Sequence, residues 1–329
     1  MFKVFLILFL FLSTPLFSND VDSNKSTAFD EFYKGWQAQH SEQYKKAMKL
    51  YKESVKKGCN SAQFHIAQMY EEGLGVKQNY KEALVWYEKT AKLGHMRAQT
   101  ILAQMYETGN TIKKDSKKAY YWYKQSAAQG SVKAELALAK MYEEGRGVNQ
   151  SFVKAVRYYK KAIEQGSLEA KTSLSLFYIE HKQKKHFQEA KDLLHSAALK
   201  GDEKAQYALA NFYLKGEVYR KDYDRGLHWL QESAKAGYVK AEYELGRLYA
   251  NGDGVALNYE KAATYLSQAA KQGYASAQYD LGLMYYEGLG LEQNRSKAYL
   301  FWKKASKNGD KDAEHNIKIL CKNNPSLCQ

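Results

Sequence analysis

Apolar residues recur along this chain at helical spacing, in short runs cut by glycine. Near the C-terminal end Ala277, Leu281, Met284 and Tyr285 fall at i, i+4, i+7 and i+8, the stripe of one buried helix face. Gly288 and Gly290 interrupt it. Asn294 then opens a second stripe formed by Ala298, Phe301, Trp302 and Ala305, and Gly309 closes it. The pattern predicts helix, glycine turn, helix, glycine stop. Neither helix of such a pair can bury its stripe alone, so the unit requires a neighbour.

The same pattern runs backwards through the chain. Helix-opening alanines stand at Ala62, Ala98, Ala134, Ala170, Ala205, Ala241, Ala277 and Ala313, 36 apart except for the 35-residue step from Ala170 to Ala205. Closing glycines from Gly58 to Gly309 keep those steps, as does a second-helix column from Ala47 to Ala298 that carries Gly226 in one unit. Four residues after each opening Ala comes a core Leu or Ile, then a small residue (Ala67, Ala103, Ala139, Ser175, Ala210, Gly246, Gly282) that lets two helix backbones approach. Tyr70, Tyr106, Tyr142, Tyr178, Tyr213, Tyr249 and Tyr285 end the first helices, each expected to bury its ring and keep its hydroxyl near the turn. Asn79, Asp115, Ser151, Asp222, Asn258 and Asn294 precede the second helices and are good N-cap acceptors.

Upstream, a first helix is expected from Phe29 to Gln39 with Phe29, Phe32, Tyr33 and Trp36 on one face, and a second from Tyr44 to Lys57. The fourth unit departs from the rest: its turn, IEHKQKKHF, lacks glycine, is one residue short and has His186 at the cap position. At the far end Lys318 stands where a small residue belongs and Cys321 where Tyr belongs. A helix with no successor can face water there, so this reads as a cap.

The columns Ala-x-x-x-Leu-Gly-x-x-Tyr, Gly-x-Gly, Lys-Ala-x-x-Trp-Tyr and Ala-x-x-Gly resemble the Sel-1-like repeat, a relative of the tetratricopeptide repeat. Examples are KAEYELGRLYANGDGV from Lys240 and YKEALVWYEKTAKLG from Tyr80. The resemblance covers Ala62 to Cys321 and extends weakly over the first pair. It implies an all-α, right-handed solenoid whose first helices line a concave face, and an adaptor role, in exported bacterial members often linked to host contact or the envelope. Cysteine-rich exported members have been assigned penicillin binding or β-lactamase activity, but those carry a cysteine pair in nearly every repeat and this chain does not.

The amino terminus adds a destination. One Lys precedes an unbroken apolar run from Val4 to Leu12, too short for the roughly 20 residues of a spanning helix. With Pro15 and Ser18 after it, the segment reads as a cleavable secretory signal (1–18), followed by a flexible leader (19–27), a degenerate helix pair (28–61), seven repeats (62–312) and a capping helix with its tail (313–329). In an oxidising compartment Cys321 and Cys328 are placed for a short terminal disulfide, which contributes about 2.5 kcal/mol on the chain-entropy model; Cys59 is then unpaired.

The net charge is +14 over 329 residues. An exported chain meets little nucleic acid, so that partner is set aside in favour of acidic proteins or an anionic envelope polymer. Lys113, Lys114, Lys117, Lys118, Lys182, Lys184 and Lys185 lie in or beside turns and are candidates for a basic edge, whose binding should weaken steeply with salt. Enzyme signals are thin. Ser54-x-x-Lys57 and Ser151-x-x-Lys154 match a penicillin-recognising nucleophile motif without its companion motifs. No metal-ligand spacing, cofactor motif or phosphate loop is present. The reading is therefore a non-enzymatic scaffold binding a protein or peptide, with Tyr207, Asn211, Tyr243, Arg247, Tyr279 and Tyr286 as candidate contacts because Tyr and Arg anchor interfaces. The alternatives are an enzyme acting on β-lactams or the cell wall, and an anionic glycan or polymer binder. The tyrosines fit packing between neighbouring units as well as a binding stripe.

Overall fold

A computed structural model describes residues 22–327. The expected signal segment, the start of the leader and Cys328 lie outside these residues. The described residues hold seventeen α-helices, two short 3-10 turns and no strand, an all-α repeat solenoid. The chain divides into two compact units, Met1–Tyr158 and Tyr159–Gln329.

The first unit contains α1 (Asp22–His40), α2 (Tyr44–Lys56), α3 (Ser61–Glu72), α4 (Tyr80–Lys92), α5 (Met96–Thr108), α6 (Ser116–Ala128), α7 (Val132–Glu144) and the start of α8 (Phe152–Glu164). The second contains the end of α8, then α9 (Leu168–Glu180), α10 (Phe187–Leu199), α11 (Glu203–Lys215), α12 (Tyr223–Lys235), α13 (Val239–Asn251), α14 (Tyr259–Lys271), α15 (Ala275–Glu287), α16 (Arg295–Lys307) and α17 (Lys311–Asn323).

The columns do what their chemistry predicts. Every opening alanine from Ala62 to Ala313 is completely buried, and so are Ala47, Ala83, Ala119, Ala155, Ala190, Ala262 and Ala298 in the second helices. The small position is used to the limit at two places. A Cβ on Gly246 would lie 2.7 Å from Leu266 Cγ, and one on Gly282 would collide with the Trp302 indole. The second glycine of the turn has its own cause. Gly75 has φ of +69°, and a Cβ there would sit 2.7 Å from the Tyr44 carbonyl oxygen, because the turn lies on the start of the preceding unit's second helix.

The regular hairpins are closed twice. The N-cap residue donates its own N–H to the carbonyl of the tyrosine that ended the first helix: Asn79 to Tyr70, Asp115 to Tyr106 and Asn294 to Tyr285, all at 2.8 Å. Its side chain accepts from the new helix, as Asp115 does from Lys117 and Lys118 N–H at 3.1 and 3.0 Å. The lysine before the second-helix alanine then covers the same tyrosine ring, with Lys118 5.0 Å from the Tyr106 centroid, Lys154 5.2 Å from Tyr142, Lys261 5.2 Å from Tyr249 and Lys297 5.1 Å from Tyr285. Arg225 over Tyr213 is the same device.

The amino-terminal pair differs from expectation. Helix α1 begins at Asp22, so residues assigned to the leader are helical. Its aromatics do not share a buried face: Phe32 packs on Tyr51 and His65, while Phe29, Tyr33 and Trp36 are 60%, 51% and 39% exposed. The buried side is made by Ala28, Gly35 and Ala38, and a Cβ on Gly35 would stand 2.9 Å from the Tyr51 ring. Close approach of α2 selects small residues there and turns the large ones outward. The fourth unit also corrects a detail. His186 makes no cap bond to α10; it stacks on Tyr178 at 4.5 Å and its Nδ1 meets Glu189 at 2.8 Å. Glu189 stands where siblings carry the ring-covering lysine, and Lys160 pairs with it at 2.9 Å. At the other end Lys318 is exposed and bridges to Glu314 at 2.9 Å, as a last helix allows.

Candidate functional site

In the second unit the first helices α11, α13 and α15 each carry a tyrosine two places after the opening alanine. All three are half-buried. Tyr207 packs on Tyr238, with ring centroids 5.2 Å apart, and Tyr243 packs on Tyr274 at 4.9 Å. Tyr238 and Tyr274 occupy the N-cap position of α13 and α15, where other units have Ser131, Ser167, Asp202 or Asp310 accepting a bond from the helix. Two caps have thus been replaced by rings. The sequence reading missed this pair, and the signal was an aromatic at a capping position.

A polar ladder joins the same helices. The Asp280 carboxyl of α15 acts on the Tyr243 hydroxyl, and Asn316 of α17 donates to the Tyr279 hydroxyl at 3.4 Å. Tyr207 feels Asn211 of its own helix and Glu244 of α13. Arg247 sits 5.9 Å from the Tyr243 ring centre and 3.9 Å from Glu244. Burial holds the Asp280 carboxyl above its usual range, and Asp310 adds to the rise while Tyr243 and Arg247 oppose it. Burial likewise pushes the Tyr243 hydroxyl well up. The structure therefore brings together Tyr207, Asn211, Tyr243, Arg247 and Tyr279 on neighbouring first helices. Tyr286 is not one of the ladder; it packs on Trp302 of α16 at 5.5 Å.

The basic edge is divided between the units. In the first, Lys113, Lys114 and Lys117 are exposed beside the α5–α6 turn. Lys118 is engaged on Tyr106, so part of that charge is architectural. In the second, Lys182, Lys184 and Lys185 are exposed on a turn that includes the 3-10 segment Lys184–His186. The first unit also has a groove of about 870 Å³ over α3, α5 and the start of α7, lined by residues that include Phe64, His65, Gln68, His95, Arg97 and Gln104. Burial lowers the pKa of both histidines. His95 serves as an N-cap, its Nδ1 accepting from the Ala98 N–H at 3.2 Å.

Both motif serines take part in the architecture. Ser54 is completely buried in α2 and its hydroxyl donates to the Ala28 carbonyl at 2.6 Å. Ser151 lies at the start of α8 and accepts from the Lys154 N–H at 3.4 Å. Among the described residues no group of three His, Cys, Asp or Glu side chains is placed to hold a metal, and no helix is long and apolar enough to cross a membrane. Cys59 is a free thiol.

The Sel1 repeat family model matches residues 60–95, 97–131, 132–167, 203–238, 239–274 and 275–310, more than half of the chain. The protein belongs to the Sel1 repeat family, whose members generally serve as scaffolds for protein–protein interaction. The fourth unit, with its shortened turn, is the one the family model passes over. A Sel1 repeat protein from Oxalobacter formigenes is similar in structure, with 28% identity and a TM-score of 0.73 over 91% of this chain and 88% of that one. The c5321 protective antigen of uropathogenic Escherichia coli strains, which displays an SLR fold, is 27% identical with a TM-score of 0.63 over 93% of this chain and 68% of its own. Yeast Tom70, at 15% identity and a TM-score of 0.58 over 97% of this chain and 69% of its own, shares the fold. The curated proteins contain no match.

Proposed function

We propose that this protein is an exported, non-enzymatic scaffold that holds a protein or peptide partner along the face of its first helices in the second unit. The observation that carries the reading is the tyrosine ladder. Three half-exposed rings at one position of successive units are fixed by contacts across neighbouring helices, so they meet a partner with little side-chain entropy left to lose. Rigid aromatic anchors of this kind dominate interface energies. Export is supported by the basic and apolar amino-terminal segment. A role at the envelope or in host contact fits the protective-antigen description of the E. coli relative.

The test is a capture experiment with the exported protein against envelope and host-surface extracts. It runs beside a variant with Tyr207, Tyr243 and Tyr279 changed to Ala, after circular dichroism has shown both to be helical. A partner held by the wild type and lost by the variant is the expected result. A partner held equally by both moves the binding surface elsewhere. Nitrocefin turnover that survives purification overturns the scaffold reading in favour of an enzyme.

A further inference from the structure

We infer that the partner segment seated on α11, α13 and α15 is extended and carries arginine side chains. This rests on the reading of that face as a binding surface and specifies its ligand. The first observation is a reversal of sign. The chain carries an excess of 14 positive charges, yet the charges that bear on Tyr207, Tyr243 and Tyr279 are chiefly carboxylates, Glu244, Asp280, Asp310 and Asp312, against the single base Arg247. Lys204 and Lys240 stand on the same helices but are exposed.

The second observation is that the protein already shows the pose. Arg247 places its guanidinium 5.9 Å from the Tyr243 ring centre and 3.9 Å from Glu244, so one arginine meets both a ring and a carboxylate. Tyr279 with Asp280 and Asp312 offers the same two elements without an arginine of its own. Guanidinium suits such a place better than ammonium, because its plane stacks on a ring while its fork bonds a carboxylate. Burial of Asp280, with Asp310 nearby, disfavours its charge, and an incoming cation relieves that strain on the site. The third observation is spacing. The rungs repeat once per unit on neighbouring first helices, and packed helices lie about 8–10 Å apart. An extended chain in the polyproline II form covers that distance in about three residues and returns every third side chain to the same side, so arginine is expected at every third position.

The experiment pans a random dodecapeptide display library on the full-length protein at near-physiological salt and retests each clone on Tyr243→Ala, Asp280→Asn and Arg247→Ala. The expected clones carry arginine at three-residue spacing, are lost on Tyr243→Ala and are weakened on Asp280→Asn by about fivefold or more, the size of one cation–ring and charge contact. Arg247→Ala removes the internal competitor and should tighten them, a gain that loss of folding cannot imitate. Clones that need Tyr207 and Tyr243 but are neutral or acidic would overturn the arginine assignment and leave the binding face standing. Clones indifferent to every tyrosine variant would remove both.

Discussion

A buried acid shows how a side chain can depart from its column. In three units the residue after the opening alanine is a glutamine that donates back to a helix-end carbonyl: Gln99 to Ala91 at 3.0 Å, Gln206 to Ala198 and Gln278 to Ala270 at 3.1 Å. At Glu242 the equivalent carbonyl belongs to Ala234, and a carboxylate has no proton to give it. Glu242 instead accepts from Gln272 at 2.9 Å, and burial raises its pKa. A carboxyl whose folded pKa is raised contributes stability below its unfolded value, near pH 4.3, and loses it as pH rises through the folded value. Glu242→Gln restores the donor, so it should stabilise the protein by about 1 kcal/mol at neutral pH. The gain should shrink at about pH 4.5, where the acid carries its own proton. Thermal melts at the two pH values check this, and an equal gain at both would reject it. Neither Glu242's burial nor the Tyr87–Glu71 bond was legible beforehand. The period marks which positions are buried, whereas a buried acid looks like a surface one until its partner across the turn is seen.

Between elements, the decisive quantity is how closely two helices meet. Tyr51, Tyr87 and Tyr123 fill one second-helix position in the first unit, and Tyr159, Leu194, Leu230, Leu266 and Trp302 fill it in the second. The small column opposite gives way where the contact is tightest, with Gly246 against Leu266 and Gly282 against Trp302. Gly282→Ala should destabilise by about 1–3 kcal/mol through overpacking. The double variant Gly282→Ala with Trp302→Leu reproduces the Ala210 and Leu230 pairing and should recover part of that loss, measured by urea unfolding. Additive losses would show that the indole is not the cause. This level was largely legible: alanine, leucine, glycine and cap columns follow from periodicity alone. What escaped were compensations that cross columns, such as rings at the caps of α13 and α15, the lysine lids over the tyrosines, and the outward turn of Phe29, Tyr33 and Trp36. Each depends on the size of a neighbour far away in sequence.

For the molecule as a whole, the proposed export makes a sharp prediction. Protein recovered from outside the cytoplasm should begin near Asn19 by intact mass, with Cys321 and Cys328 joined and resistant to alkylation until reduced. A mass including Met1, or two alkylatable thiols at the carboxyl end, would contradict it. The repeat architecture adds a consequence for how such a chain changes over generations. The Tyr87 hydroxyl donates to Glu71 at 2.6 Å and the Tyr123 hydroxyl to Glu107 at 2.7 Å, each bond lying inside one repeat. Tyr243 with Asp280, and Tyr279 with Asn316, instead pair across consecutive repeats. Unequal crossing-over that deletes or duplicates one 36-residue cassette therefore carries each hydroxyl–acid pair of the core along intact, yet it re-deals which tyrosine meets which carboxylate on the exposed face. Such a gene can try new specificities without unlearning how to fold.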